Sequence, residues 1–262
     1  MEASVSRPLV SSLVCTGQLL ISFYYSTEAT TTEQGAIVTA HYHRNRAPLE
    51  LLFDKYGPDR LQLARGDLAS ERDVQVMFEE MSWGGPEIVV VNHGISIVPD
   101  VSLRDMELAQ WEATLSINLT ASFLVAREYL RNLDVKIQAI TAAAHLTVET
   151  PQRRFGDRAA IILVGSTAGK YGEAGHADYA ASKSGSLRFY LSLIYNLATF
   201  VLAAMMYGLT LSLKNEIVKI APHGRVNCIA PGWVKTPLAA GSLKNPMTVY
   251  RALATCVSQP LP

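Results

Sequence analysis

Short, continuous apolar runs alternate along this chain with longer segments whose apolar residues recur at helical spacing. Continuous apolar runs are typical of strands that are buried on both faces of a parallel sheet. The runs predicted as strands are Leu9–Val14, Ala36–Tyr42, Leu61–Ala64, Glu87–Asn92, Ala159–Val164 and Arg225–Ile229. The segments predicted as helices lie near residues 69–81, 102–131 and 179–221. This alternation predicts an α/β fold with a doubly wound parallel sheet and helices on both faces.

One apolar stripe inside the second helical segment is predicted to belong to the core rather than to a cofactor site. It consists of Leu103, Met106, Trp111 and Leu115. No linker, repeat or low-complexity tract interrupts the pattern, so a single domain over residues 1–262 is expected. Hydrophobic residues make up 49% of the chain, which is enough apolar material for a full core.

The charge balance argues against a nucleic-acid partner. The chain has 23 basic and 23 acidic residues, a formal net charge of zero and no basic run. Cys15, Cys228 and Cys256 show neither the spacing of a metal site nor a disulfide framework. No metal site is therefore expected, and a reducing, cytoplasmic location is predicted.

The densest chemical signal is a serine, a tyrosine and a lysine around a glycine-rich loop. Ser166 ends an apolar run, and Tyr179 and Lys183 follow the loop four residues apart. On a helix this spacing places both side chains on one face. A free phenol has a pKa of about 10, and a neighbouring ammonium lowers it toward the working range of a general acid or base. The three side chains are expected to protonate a carbonyl oxygen while a nicotinamide cofactor supplies hydride.

Further candidates follow the predicted strands, where ligands of doubly wound sheets bind. Asp67, followed by Leu68, comes after the third strand and could accept a hydrogen bond from an adenine amine. Asn92 and Gly94 come after the fourth strand, and the glycine there lets the backbone approach a ribose. Arg44 follows the second strand, together with Arg46, where a 2′-phosphate would lie. Arginine at this position favours NADP(H) over NAD(H) as the cofactor.

These motifs resemble those of the short-chain dehydrogenase/reductase family, from about Ala36 to Thr236. The resemblance implies a Rossmann-like fold, a homo-oligomer, and hydride transfer between NAD(P) and a small carbonyl or alcohol substrate. It also implies a role for each matching catalytic residue. Tyr179 would be the general acid/base, and Lys183 would lower the pKa of Tyr179 and hold the nicotinamide ribose. Ser166 would orient the substrate oxygen, and Asn118 would be part of a water-linked proton relay. The residues that would border the nicotinamide are Pro231, Gly232, Val234 and Thr236.

Several segments depart from the family pattern. Thr16-Gly17 opens like its phosphate-binding turn, with Gly17 as a cofactor contact, but no further glycine appears until Gly35. The first βα turn is therefore predicted to be disrupted, and the bulky segment after Gly17 favours a strand over a capped helix. Residues 18–32, 133–153 and 185–203 look foreign to the family, and its last strand is expected to be missing. We hypothesise that the foreign segments are translated introns or frame errors in the gene.

Three other functions compete with an active reductase. The first is a non-catalytic or degenerate relative without cofactor turnover, which the missing glycine turn favours. The second is a membrane-anchored reductase, because residues 189–213 carry no formal charge over the length of a membrane helix. This alternative is disfavoured because that run looks like an insert joined to a core helix. A serine hydrolase is disfavoured because Ser166 lacks the spacing of a nucleophile elbow.

Overall fold

The computed structural model describes residues 18–22, 35–97, 99–144, 155–184, 204–234, 239 and 241–255. Six strands form one sheet over these residues, in the order β3-β2-β1-β4-β5-β6. Strand β1 pairs in parallel with both β2 and β4, and β2 pairs in parallel with β3. The strands are β1 Gln18–Ser22, β2 Ile37–Tyr42, β3 Leu61–Arg65, β4 Ile88–Val91, β5 Ala160–Val164 and β6 Arg225–Ile229. This strand order defines a doubly wound sheet, so the predicted fold class is confirmed.

The first strand differs from its predicted position. Strand β1 occupies Gln18–Ser22, whereas the prediction placed the first strand at Leu9–Val14, outside the described residues. The apolar sequence Leu-Leu-Ile suits a central strand, and Leu20 lies opposite Thr39 on β2 and Val89 on β4. Gly17 therefore precedes β1 in the sequence instead of following it, and it lies outside the described residues.

Helices connect the strands. In the described residues they are α1 Ala47–Tyr56, α2 Glu71–Glu79, α3 Leu108–Leu115, α4 Ala121–Ala144, α5 Thr167–Tyr171, α6 Ala177–Lys183, α7 Ala204–Ile220 and α8 Pro246–Thr255. A π-helical turn at Ser116–Thr120 joins α3 to α4, and 3₁₀ turns lie at Leu103–Asp105 and Ser242–Lys244.

The segment 102–131, predicted as one helix, is divided into these shorter elements, and the predicted core stripe is wrong at its start. Leu103 is 67% exposed, because it lies in the 3₁₀ turn and so does not continue the face of α3. The residue of α3 that is buried is Thr114. Helix α4 continues to Ala144 and so includes part of the segment 133–153 that looks foreign.

The chain divides into two compact units. The first comprises Met1–Asn92, Leu124–Ile162 and Glu216–Arg225, and the second comprises His93–Phe123, Leu163–Asn215 and Val226–Pro262. The core of the first unit contains the buried residues Ala36, Val38, Ala40, Leu49, Leu52, Leu61, Ile88 and Ala160.

A buried tyrosine on α4 forms a hydrogen bond with the backbone just before β4 within the first unit. The hydroxyl of Tyr129 donates a hydrogen bond of 2.6 Å to the backbone oxygen of Glu87, just before β4. Burial raises the pKa of Tyr129, so its hydroxyl stays protonated and remains a donor. Within the second unit, α3, the π-helical turn and α5 all contact α6, the helix that carries Tyr179 and Lys183.

No helix in the described part of the chain is both long enough and apolar enough to cross a bilayer. Most of the apolar run 189–213, on which the membrane-anchored alternative depends, lies outside that part. The described residues also contain no cluster of three or more potential metal ligands.

Candidate active site

Tyr179 and Lys183 lie one turn apart on α6, as the sequence predicted. Tyr179 is half-buried, and Lys183 is only 5% exposed. The Lys183 ammonium donates hydrogen bonds of 3.1 Å to the backbone oxygen of His93 and 3.0 Å to that of Val164. The loop after β4 and the end of β5 therefore fix the position of the lysine head group.

Burial is the main influence on the charge of Lys183. Removal from water disfavours the ammonium form and lowers the pKa of Lys183 to about 8, an effect that the nearby Cys228 thiol partly opposes. Because this pKa still lies above neutral pH, the side chain is mainly cationic at pH 7. The partial burial of Cys228 likewise raises the pKa of its thiol.

Asn118 lies in the π-helical turn and is fully buried. Its Oδ1 accepts a hydrogen bond of 2.8 Å from the Ile95 backbone nitrogen, and its Nδ2 donates to the Ile95 backbone oxygen at 2.9 Å. The same Nδ2 donates to the hydroxyl of Ser182 at 2.9 Å. The side chain of Asn118 is therefore held from both sides by the loop after β4 and by α6.

Gly94 leaves room beside these two polar groups. A Cβ atom at this position would lie 3.1 Å from the Lys183 Nζ and 3.2 Å from the Asn118 Oδ1. Such contacts are tighter than most Cβ atoms tolerate, so a larger residue would push both groups aside. The structure thus brings together three residues that the sequence predicted separately: Gly94, Asn118 and Lys183.

Ser166 caps the N-terminus of the short helix α5. Its Oγ accepts a hydrogen bond of 3.1 Å from the backbone nitrogen of Ala168. A serine hydroxyl can accept and donate at once, so this cap leaves its hydrogen available for a substrate oxygen.

Helix α5 approaches α6 through Gly169. A Cβ atom on Gly169 would lie 2.0 Å from the backbone oxygen of Lys183, so only glycine fits there. On the other side of α5, the Thr167 backbone nitrogen donates to the Pro231 oxygen at 2.9 Å. This hydrogen bond connects the loop after β6 to the helix that Ser166 caps.

The remaining residues predicted to border the nicotinamide are more open or are not described. Gly232 and Val234 are exposed. Thr236 and Gly17 lie outside the described residues.

The adenosine-side candidates belong to the first unit. Arg44 is exposed just after β2, while Arg46 pairs with Glu50 at 3.4 Å. Asp67 is half-buried after β3, where its Oδ1 accepts a hydrogen bond of 3.0 Å from the Ala69 backbone nitrogen. Leu68 is buried, and Asn92, just after β4, is half-buried.

Three buried polar residues in and beside α6, namely Thr114, Asp178 and Ser182, were not predicted from the sequence. Asp178 accepts hydrogen bonds from Thr114 at 2.6 Å and from Gln110 at 3.2 Å, and Ser182 accepts one from Asn118. The available signal was a shared spacing of four residues, from 114 to 118 and from 178 to 182. Pairing the two helices was needed to recognise it.

Comparison with known proteins identifies the class. The family model of the short chain dehydrogenases matches residues 25–206, which is more than half of the chain. The chain therefore belongs to the short-chain dehydrogenase family.

Several curated proteins with different names are similar in sequence to this chain. Nodulation protein G of Rhizobium meliloti (strain 1021) is 30% identical over 207 residues, covering 78% of this chain and 66% of the relative. The 3-oxoacyl-acyl-carrier-protein reductase FabG of Aquifex aeolicus (strain VF5) is 28% identical over 200 residues, covering 75% and 62%. The human (3R)-3-hydroxyacyl-CoA dehydrogenase is 28% identical over 189 residues, covering 70% and 56%. The chain thus spans less than two thirds of the length of these relatives.

Proposed function

We propose that this protein is an NADP-dependent oxidoreductase that reduces a carbonyl group or oxidises the corresponding alcohol. The observation that carries the proposal is the buried Lys183 ammonium, one helical turn from Tyr179 and adjacent to Asn118 and Gly94. A lysine is seldom fully buried unless it is paired, and side chains with perturbed pKa values cluster at functional sites.

Tyr179 is the general acid/base in this proposal. In the direction of reduction, its phenol gives a proton to the carbonyl oxygen of the substrate. The Lys183 cation favours the phenolate that remains, so it lowers the free energy of proton transfer. Because Lys183 is held away from water, this electrostatic effect is larger than it would be at the surface.

Ser166 and Asn118 support the proton transfer. The Ser166 hydroxyl donates a hydrogen bond to the same substrate oxygen, while its own oxygen remains occupied by the Ala168 nitrogen. Asn118 is fixed by its hydrogen bonds to the Ile95 backbone and Ser182, and it would serve as a fixed member of a proton relay.

The nicotinamide cofactor, when bound, supplies the hydride. In the second unit, Lys183 would hold the nicotinamide ribose, and Gly94 presents bare backbone beside the Lys183 ammonium. In the first unit, the exposed Arg44 would hold a 2′-phosphate and Asp67 an adenine amine. The arginine is the reason for preferring NADP(H).

The relatives suggest a substrate class. Two of their names refer to 3-oxoacyl or 3-hydroxyacyl thioesters. We therefore propose that 3-oxoacyl thioesters are the first compounds to test, ahead of simple ketones and quinones.

The test is the oxidation of NADPH, and of NADH in parallel, in the presence of acyl thioesters, ketones and quinones. The proposal expects turnover of at least one class, faster with NADPH than with NADH. Absence of turnover with all three classes, for a folded protein, would refute it.

A second candidate is a non-catalytic relative that retains the fold. It is favoured by the sequence between Ser22 and Gly35, which contains no glycine after the carboxyl end of β1. A pyrophosphate needs closely approaching backbone at that turn. A fluorescence titration distinguishes the two candidates: saturable NADPH binding at micromolar concentrations favours the enzyme, and its absence favours the non-catalytic relative.

A further inference from the structure

We propose that Asp178 and Ser182 are positioning residues for Tyr179. Thr114 on α3 anchors Asp178, and Asn118 in the π-helical turn anchors Ser182, so two hydrogen-bonded rungs join α6 to residues 114–118. This inference rests on the proposed function, because it assigns these residues a role in placing the general acid/base.

The first rung joins Thr114 to Asp178. The threonine hydroxyl donates a hydrogen bond of 2.6 Å to the Asp178 Oδ2, and both residues are almost completely buried. Gln110, one turn earlier on α3, donates to the same oxygen at 3.2 Å. A buried carboxylate is costly unless it is hydrogen-bonded, so these donors define where Asp178 can lie.

The second rung joins Asn118 to Ser182, and both side chains are fully buried. The two anchors are four residues apart, and so are the two residues of α6 that they hold. The rungs therefore lie about one helical turn apart, on one face of each segment. Two separated rungs fix the rotation of α6 about its axis, which a single rung would leave free.

Asp178 and Ser182 also form hydrogen bonds with the backbone of Tyr179. The Asp178 Oδ1 accepts a hydrogen bond of 2.8 Å from the Tyr179 nitrogen. The Ser182 hydroxyl donates one of 2.8 Å to the Tyr179 oxygen. The first-turn nitrogens of a helix have no acceptor within the helix, and Asp178 supplies an acceptor to the Tyr179 nitrogen. Each polar backbone atom of the tyrosine is thus tied to a side chain that is itself anchored.

The two rungs determine where the phenol of Tyr179 lies. Tyr179 and Lys183 each follow a rung residue directly in the sequence, so the rungs set the direction in which both side chains leave the helix. The proposed function requires the phenol to lie beside the Lys183 ammonium, and loss of a rung lets the phenol spend more time away from that position. The interaction that favours the phenolate then weakens, and the pKa of Tyr179 rises.

The test is an NMR titration of protein that carries ¹³Cζ-labelled tyrosine. The Tyr179 resonance is assigned by its loss in Tyr179→Phe. The proposal expects a higher phenol pKa in Thr114→Val and in Ser182→Ala than in the natural chain. Thr114→Ser keeps the hydroxyl and is expected to restore the natural value.

Ser102→Ala is the matched control. It also removes a hydroxyl–carboxylate hydrogen bond, from Ser102 to Asp105 at 2.8 Å, but at an exposed position of the same unit. It should leave the phenol pKa of Tyr179 unchanged.

Kinetic constants provide a second measurement. A misplaced reacting group costs about tenfold to a hundredfold in rate, so kcat should fall in the two rung variants while KM for NADPH changes little. An unchanged phenol pKa in folded Thr114→Val and Ser182→Ala would overturn the proposal. If Thr114→Val does not fold, Ser182→Ala and Asp178→Asn decide the question. Because the titration needs no turnover, a failure of the proposed function, seen as an inactive natural chain, is distinguishable from a failure of the rungs.

Discussion

Asn118 and Ser182 are joined by a hydrogen bond of 2.9 Å between two fully buried side chains. One lies in the π-helical turn before α4, and the other directly precedes Lys183 on α6. The serine also donates to the backbone oxygen of Tyr179. Asn118, which the family resemblance assigns to a proton relay, is therefore also connected through Ser182 to the backbone of Tyr179, the proposed general acid/base.

Gly169→Ala is expected to destabilise the fold. The added Cβ atom would meet backbone atoms of Lys183 and Ser184, the closest at 2.0 Å, and backbone cannot yield as a flexible side chain does. Overpacking of this kind costs about 1–3 kcal/mol or more. Urea unfolding measures the change.

Gly208→Ala is the matched control for that substitution, because Gly208 also lies in a helix and no atom of the described residues lies within 4 Å of the added carbon. Replacing a helical glycine by alanine should stabilise the protein by about 0.5–1 kcal/mol. Equal effects at the two positions would contradict the close approach of α5 to the end of α6.

The buried Lys183 should make stability depend on pH on the alkaline side. Its pKa falls from 10.5 in the unfolded chain to about 8 in the folded protein. Between these values the unfolded chain binds more protons, so the free energy of unfolding rises with pH. The contribution has a slope of at most about 1.4 kcal/mol per pH unit.

Lys183→Met should lack this contribution. The measurement is the difference in unfolding free energy between the two proteins at several pH values from 8 to 10.5. A difference that stays constant over this range would contradict the lowered pKa of Lys183 in the folded protein.

Arg44→Ala is expected to raise KM for NADPH several-fold and to change KM for NADH little, because only NADPH carries a 2′-phosphate for the guanidinium to bind. Arg131→Ala serves as the control, since Arg131 is an arginine on α4 that pairs with Glu128. A parallel rise in KM for both cofactors in Arg44→Ala would remove the basis for preferring NADP(H).

Deletion of residues 185–203 tests whether that segment is foreign to the fold. Helix α6 ends at Lys183 and α7 begins at Ala204, so the deletion joins Ser184 directly to a helix. We expect the shorter chain to unfold more cooperatively and at a higher temperature. A lower melting temperature would instead show that the segment contributes to stability.

The strands from β2 to β6 were largely predictable, because parallel strands buried on both faces leave continuous apolar runs. The position of β1 was predictable only in part. The segment after Gly17 was expected to favour a strand, but the first strand was assigned to Leu9–Val14, and only pairing with β2 and β4 selects Gln18–Ser22. The division of residues 102–131 was missed for a similar reason: Leu103 has helical spacing to Met106, yet it lies in a 3₁₀ turn.

Within the site, the spacing of Tyr179 and Lys183 was visible in the sequence because it is local to one helix. The partners of Lys183 were not, since they are backbone oxygens of His93 and Val164, and any residue type supplies those. Thr114 was hidden because a polar residue between Trp111 and Leu115 looks like the solvent side of an apolar stripe. Its burial follows only from the packing of α6 on α3.

Transfer of hydride from NADPH to a 3-oxoacyl thioester, compared between the natural chain and Tyr179→Phe in a single turnover, tests the central claim most directly. The substitution removes only the phenolic oxygen. General acid catalysis contributes about 10²–10⁴-fold in rate, so we predict a loss of at least about a hundredfold with the fold and NADPH affinity preserved. Equal rates in the two proteins would contradict the assignment of Tyr179 as the general acid/base.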